Sequence, residues 1–121
     1  MSTQINARIT YTALIGHILM SYRQRANLPQ LPFADKLGIT QSAYSRIEKG
    51  GTAVTLVQLK AICRVLNVNP AQVVADVETW SDNLRQKGVT IIETHVELPK
   101  AELMIGLGML AIALAAVASQ A

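Results

Sequence analysis

Residues 41–49 carry side chains of the types that hydrogen-bond to nucleic-acid bases and phosphates. Gln41, Ser42 and Ser45 supply amide and hydroxyl groups, and Arg46 and Lys49 add positive charge. At helical spacing these five side chains share one face, and that face holds no apolar residue. A DNA major groove admits an α-helix and presents donors and acceptors that such groups can read. The segment therefore predicts a short helix whose outer face contacts DNA.

The surrounding residues, Leu31–Gly51, have the pattern of a helix, a tight turn and a second helix. Gly38 suits a left-handed position at the end of the first helix, where a side chain would be strained. Thr40 has the chemistry to cap the second helix, because its hydroxyl can accept an N–H from the next turn. Ala34 is small enough for the two helices to meet closely, and Ile47 directs the second helix towards a core.

Arg23–Gly50 resembles the helix-turn-helix of the Xre/Cro family of phage repressors, and the likeness extends over residues 9–77. The matching positions are Arg23, Leu28, Gln30, Phe33, Ala34, Leu37–Ile39, Ser45–Gly50, Leu56, Leu59, Leu66 and Val68–Pro70. Members of this family bind DNA as dimers and place their third helix in the groove. The resemblance therefore implies a sequence-specific transcription regulator, with a repressor as the expected form.

The resemblance also implies which residues contact DNA. Gln30 matches a glutamine that contacts phosphate, and the Gly51–Thr52 loop and Lys49 are expected to do the same. Gln41, Ser42, Ser45 and Arg46 are expected at base edges. The predicted DNA-binding residues are Gln30, Thr40, Gln41, Ser42, Ser45, Arg46, Lys49, Gly51 and Thr52. Pro29 stands where the family has a Ser or Thr cap, so no hydroxyl is available there.

Arg23 and Glu48 match a family pair that joins the first helix to the third. Two solvated charges that contribute very little are the alternative. Tyr44 has two interpretations as well: a contact with DNA, or a packed core residue, which the family usually has at this position.

The bulk composition agrees with a polyanion partner. Residues 1–64 contain eight Lys or Arg against two acids, and residues 65–121 contain three against six. The basic excess lies in the half that carries the motif. Cys63 is the single cysteine of the 121 residues, so a disulfide framework is excluded and a reducing compartment is predicted. Met1–Ala7 is polar and does not resemble a cleavable signal.

Apolar periodicity predicts a mainly α fold, with five helices in a repressor-like domain over residues 1–87. The first helix is predicted over Ile9–Arg25. Thr55 and Gln58 have the spacing of a capping box that opens the fourth, and Asn69 and Pro70 open the fifth. The buried stripe of the fourth helix is predicted to be Leu56, Leu59, Ile62, Cys63 and Leu66. Trp80 is assigned either to an interface or to the core.

Residues 88–121 are predicted to form a second unit, for oligomerisation or membrane attachment. Val89–Leu98 is rich in β-branched residues and predicts a strand. No other strand is predicted in the chain, so its simplest partner is the same strand in a second copy. Leu103–Ala118 carries no charge and predicts a helix that must be buried in protein or lipid. A homodimer core through residues 89–118 and a membrane anchor through Leu103–Ala118 stay open.

The leading prediction is a dimeric, cytoplasmic DNA-binding regulator, with tethering to the inner membrane through the last helix as the open alternative. The other functions considered are an autorepressing antitoxin with an unknown toxin partner, and a membrane-anchored protein-interaction module. An enzyme is the least favoured class, since no nucleophile with a base, carboxylate pair or metal-ligand cluster is recognisable. No cofactor or metal is predicted.

Overall fold

Five helices and two short strands make up the part of the chain that the structure, a computed structural model, describes: residues 7–93. In chain order the elements are β1 (Arg8–Thr10), α1 (Tyr11–Arg25), α2 (Gln30–Leu37), α3 (Gln41–Lys49), α4 (Leu56–Leu66), α5 (Pro70–Gln86) and β2 (Thr90–Ile92). The mainly α class and the five helices are confirmed. The predicted helix over Leu103–Ala118 lies outside the described residues and stays a prediction.

The helix starts follow the local signals in the sequence. The Thr40 hydroxyl accepts the N–H of Ala43 at 3.0 Å and caps α3. Thr55 and Gln58 form the predicted capping box of α4, because each side chain bonds to the main chain of the other. Asn69 caps α5 with Pro70 as its first residue. Each such cap satisfies N–H groups that the helix leaves unpaired, and a cap contributes about 1 kcal/mol.

The core lies among the five helices, with α1 packed against α3 and α5. Helix α2 contacts α3 through the rings of Phe33 and Tyr44, whose centroids are 4.9 Å apart. The buried apolar side chains are Leu14, Ile18, Leu19, Phe33, Ala34, Tyr44, Ile47, Leu59, Ile62, Cys63, Val73 and Val77. Burying one large apolar side chain stabilises a fold by roughly 1.5–3 kcal/mol. The core assignments of Tyr44 and Cys63 are confirmed.

The two strands correct two predictions. Thr90–Ile92 is a strand, but its partner is β1 of the same chain, paired in parallel with Ile9 opposite Ile91. The prediction that the same strand of a second copy is its simplest partner is therefore wrong over these residues. The first helix begins at Tyr11, not Ile9, because Thr10 acts as its N-cap. A three-residue strand is too short to show an alternating pattern, which is why the sequence did not reveal β1.

Two apolar residues for which burial was predicted or considered lie outside the core. Leu56, predicted within the buried stripe of α4, is 82% exposed in the first turn of that helix. Trp80 is 49% exposed on α5, so the core alternative for this residue is wrong. Leu59, Ile62 and Cys63 are buried as predicted, and Leu66 is half-buried.

No helix within residues 7–93 has the length and apolar character needed to span a bilayer. The segment for which a membrane anchor is predicted, Leu103–Ala118, lies beyond those residues.

Gly16 lies at a place where α1 and α3 approach each other closely. A Cβ atom at this position would lie 2.2 Å from the carbonyl oxygen of Ile47 and 2.6 Å from that of Glu48. Because both neighbours are main-chain atoms, no side chain can move aside. The absence of a side chain at Gly16 therefore sets the distance between the two helices.

We predict that Gly16→Ala lowers the free energy of unfolding by about 2 kcal/mol or more. The steric overlap outweighs the gain of about 1 kcal/mol that Ala brings to a helix interior. Gly51→Ala is the matched control, since its Cβ would meet nothing closer than the Arg46 carbonyl oxygen at 3.7 Å. Chemical denaturation of both variants measures the difference. Equal losses would show that α1 and α3 are not in contact at Gly16.

Candidate nucleic-acid interface

The turn between α2 and α3 sets the direction in which α3 leaves the core. Gly38 ends α2 with a left-handed φ of 72°, and its N–H bonds back to the last turn of that helix. Thr40 then opens α3. Gly50 ends α3 in the same left-handed conformation, with a φ of 79°. Both ends of α3 are thus held by main-chain and cap bonds, and a short helix needs this support because it is marginal alone.

The outer face of α3 is polar, as predicted. Gln41, Ser42, Arg46 and Lys49 are exposed, and Ser45 is half-buried. Gln41 and Ser45 are four residues apart and so are neighbours on the helix surface. The inner face carries Tyr44, Ile47 and Glu48, all buried. The sequence therefore separates a core face from a hydrogen-bonding face within nine residues.

A buried ion pair connects α3 to α1. Arg23 Nε lies 2.6 Å from Glu48 Oε2, and Arg23 Nη2 donates to Glu48 Oε1 at 3.0 Å. Only 8% of Arg23 and 5% of Glu48 is exposed. The bidentate geometry is the strong form of an arginine–carboxylate contact. The predicted pair is formed, and the alternative of two solvated charges is wrong.

Two further bonds extend this pair to α2. Arg23 Nη1 donates to the carbonyl oxygen of Leu28 at 2.7 Å, in the loop before α2. Gln30 Nε2, at the first residue of α2, donates to Glu48 Oε1 at 2.8 Å. We call Arg23, Glu48, Gln30 and the Leu28 carbonyl the buried network. It joins the first three helices through polar atoms that would be costly to bury unpaired.

The electrostatics of the buried network favour its charged form. Burial opposes ionisation of Glu48, but hydrogen bonds from Arg23 and Gln30 outweigh it and lower the pKa of this carboxyl. The bond to Glu48 raises the pKa of Arg23 against the opposing effect of burial. Burial first, and then Glu48, raises the pKa of Tyr44 above its ordinary value. Glu48 thus stays a carboxylate and Tyr44 a neutral phenol.

The remaining predicted contact residues surround α3. Thr52 is exposed in the loop after α3, and Thr40 is exposed at its start. Gln30 is half-buried, with one N–H already donated to Glu48; a carboxamide has a second N–H and a carbonyl for other partners. Pro29 caps α2 without a side-chain bond. Gly51 differs from expectation, because its N–H donates to the Arg46 carbonyl at 2.9 Å and is engaged within the helix end.

Three positioning features were not found from the sequence. Gly16 is a glycine within an apolar stripe, and its role becomes visible only from its neighbours in the fold. The Leu28 carbonyl is a main-chain acceptor that no side chain marks. The Gln30–Glu48 bond joins residues 18 positions apart, with no local pattern to signal it.

The arrangement defines a helix-turn-helix domain, the class of module whose second helix enters the DNA major groove. Residues 19–73 match the family model described as helix-turn-helix. The Xre/Cro resemblance predicted from the sequence is confirmed.

Among curated proteins, the chain is similar to the antitoxin PezA of Streptococcus pneumoniae serotype 4 (strain ATCC BAA-334 / TIGR4). The two are 33% identical over 63 residues, which is 52% of this chain and 40% of the antitoxin. The chain therefore matches less than half the length of this relative.

Two solved structures are similar in fold. The clp gene regulator ClgR from Corynebacterium glutamicum superimposes with a TM-score of 0.61 at 18% identity, over 64% of this chain and 82% of that one. A point mutant of the restriction-modification controller protein C.Esp1396I superimposes with a TM-score of 0.54 at 17% identity, over 59% of this chain and 90% of that one. At these identities the likeness establishes the fold alone.

We expect Arg23 and Glu48 to be strongly coupled in stability. Arg23→Met or Glu48→Gln alone leaves a buried group without its charged partner, which costs about 3–5 kcal/mol. The double variant should lose less than the sum of the single losses, because neither charge is then left unpaired. Urea denaturation of the four proteins gives the coupling energy. Additive losses would contradict the buried network.

Arg85 and Asp82 form an exposed pair that serves as the control, for which a coupling energy of about 0–1 kcal/mol is expected.

Proposed function

We propose that this protein is a sequence-specific DNA-binding transcription regulator that inserts α3 into the major groove. The observation that supports this proposal is the outer face of α3, which presents hydrogen-bonding and cationic groups with no apolar residue. The buried network and Gly16 hold that helix from behind, so its orientation is set before DNA arrives. Preorganised groups lose little entropy on binding.

The charge distribution supports the same face. Arg46 and Lys49 lie in the last turn of α3 and are both exposed. Within residues 7–93, the acidic residues that come after α4 in the chain lie on α5 and directly after β2, not on α3. An uneven field of this kind attracts a polyanion to the basic side and keeps the acidic side away.

The predicted contacts divide into two roles. Gln41, Ser42, Ser45 and Arg46 are proposed to read base edges, because they project from the outer face of α3. Gln30, Lys49 and Thr52 are proposed to contact phosphates and so set the register on the duplex. Thr40 remains in the proposed site as the N-cap, beside the first exposed turn of α3. Gly51 is proposed to shape the loop, since its N–H is already bonded.

A dimer on a two-fold operator is part of the proposal, since helix-turn-helix proteins commonly read two half-sites one helical turn apart. The predicted dimer surface over residues 89–118 lies largely outside the described residues. Pairing of this strand with a second copy now has less support as the basis of a dimer, because Thr90–Ile92 already pairs with β1 of the same chain. A cytoplasmic location follows from the proposed DNA partner, and the membrane tether receives no support from residues 7–93.

An antitoxin that represses its own operon is the second candidate, and the similarity to PezA favours it. That relative is named an antitoxin, and the matched portion is 63 residues long. Both candidates would use the same α3 face on DNA. They differ in whether the chain also binds a toxin. Co-expression of this chain with a candidate toxin tests this, because an antitoxin should restore the growth of cells that make the toxin.

The test of the proposal is a selection from random duplexes with the full-length chain, followed by titration of the enriched site at several salt concentrations. Binding should weaken steeply as salt rises, because each neutralised phosphate releases counterions. The logarithm of the affinity is expected to fall linearly with the logarithm of the salt concentration. No enriched sequence, or an affinity that does not change with salt, would overturn the proposal.

Gln41 and Lys49 should respond differently to truncation on the selected site. Gln41→Ala should cost about 1–3 kcal/mol of binding free energy and relax the preference at one base position. Lys49→Ala should weaken all sequences alike and reduce the salt slope by about one. Lys87→Ala removes the same charge after α5 and serves as the matched control. If Gln41→Ala weakens specific and non-specific binding equally, the glutamine is not a base reader.

A further inference from the structure

An apolar groove lies on the molecule where α1, α4 and α5 meet, away from the outer face of α3. It has a volume of about 200 Å³, and no charged side chain from residues 7–93 lines it. The residues that define this groove are Tyr11, Ile15, Val54, Leu56, Leu59 and Val74. Leu56 is 82% exposed and Val74 is 45% exposed. Exposed apolar side chains around a concave apolar surface mark a binding surface.

The described chain ends beside this groove. Glu93 and Tyr11 line the same cleft, and Tyr11 also forms one wall of the groove. Two contacts hold Glu93 there: the pairing of β2 with β1, and the bond from Arg85 Nη2 to Glu93 Oε1 at 2.8 Å. Residues 94–121 therefore start from a defined position at the end of the groove.

The residues after Glu93 include a long apolar segment. Leu103–Ala118 carries no charge over sixteen residues. Leu107, Leu110 and Leu114 recur at three- and four-residue steps, which would place them in one row on a helix. The helical domain has its own core without this segment, and part of its apolar surface is still open to solvent at the groove.

We infer that the groove is the docking site of Leu103–Ala118 of the same chain. The row of Leu107, Leu110 and Leu114 would lie against Leu56, Val74 and the wall formed by Tyr11. Residues 94–102 span at most about 30 Å when extended, which is ample for a groove that begins next to Glu93. Docking would remove apolar surface from water on both sides, at roughly 25 cal/mol per Å².

Connection through a short linker favours the chain's own segment over that of a second copy. A flexible linker of this length gives an effective concentration on the order of millimolar. A second copy at micromolar concentration competes poorly for the same surface. This inference does not depend on DNA binding, because the groove and the outer face of α3 share no residue.

Site-specific photo-cross-linking of the full-length chain tests the inference. Benzoylphenylalanine replaces Leu56, an exposed position whose replacement leaves the core intact. Trypsin cuts after Lys100 and at no later position, because residues 101–121 contain no Lys or Arg, so the whole segment is recovered within the single peptide 101–121. The expected result is a monomer-sized product in which position 56 is joined to that peptide. Circular dichroism confirms that each labelled chain is folded.

Two controls make the result specific. The same probe at Thr79, an exposed position of α5 that does not line the groove, should give no joined peptide. The paired change Leu107→Asp and Leu114→Asp should abolish the product at position 56, because two carboxylates would enter an apolar surface. A dimer-sized product would assign the groove to a second copy. That result, an equal yield at position 79, or no product with 101–121, would overturn the inference.

Discussion

The buried pair of Arg23 and Glu48 is the contact on which the position of α3 depends. Removing two charges from water is expensive, so such a pair adds little net stability compared with apolar side chains of the same size. Its value is geometric. The guanidinium plane holds the carboxylate at two points and the Leu28 carbonyl at a third, while Gln30 completes the carboxylate from α2. Three helices therefore meet in one arrangement, in which both carboxylate oxygens of Glu48 and all three guanidinium nitrogens of Arg23 are hydrogen-bonded.

The backbone contact at Gly16 acts together with this network. The carbonyl groups of Ile47 and Glu48 lie against the backbone of α1 at the place where a side chain would otherwise stand. This close approach lets the short side chain of Glu48 reach Arg23 from the last turn of α3. The helix is consequently held at its C-terminal end by an ion pair and at its N-terminal end by the Thr40 cap. The side chains of its exposed face make no contact that holds the fold together, apart from the long hydrogen bond from Arg46 Nε to the Ser42 carbonyl.

Features with causes inside a few residues could be predicted from the sequence. The left-handed turn at Gly38, the cap at Thr40 and the capping box at Thr55 depend on neighbours within one helical turn, and all three are present. The Arg23–Glu48 pair came from resemblance to a family, since no local rule joins positions 25 residues apart. Errors arose where long-range contacts decide the outcome. Ile9 has the spacing of the α1 stripe, yet it pairs with Ile91 in a strand, and Leu56 has the spacing of the α4 stripe, yet it is exposed.

The pairing of β1 with β2 has a consequence for the layout of the whole domain. It joins the residues before α1 to those after α5, so the two ends of the helical unit leave it at the same place. That place adjoins Tyr11, which donates to Glu78 on α5, on the side of the molecule where the apolar groove lies. Burial, and then the Glu78 carboxylate, raises the pKa of Tyr11 to about 12, so its hydroxyl remains a donor at this junction. The described chain therefore ends at Glu93, which shares a cleft with Tyr11 beside the groove. The polar face of α3 and the apolar groove can then serve different partners without competing for surface.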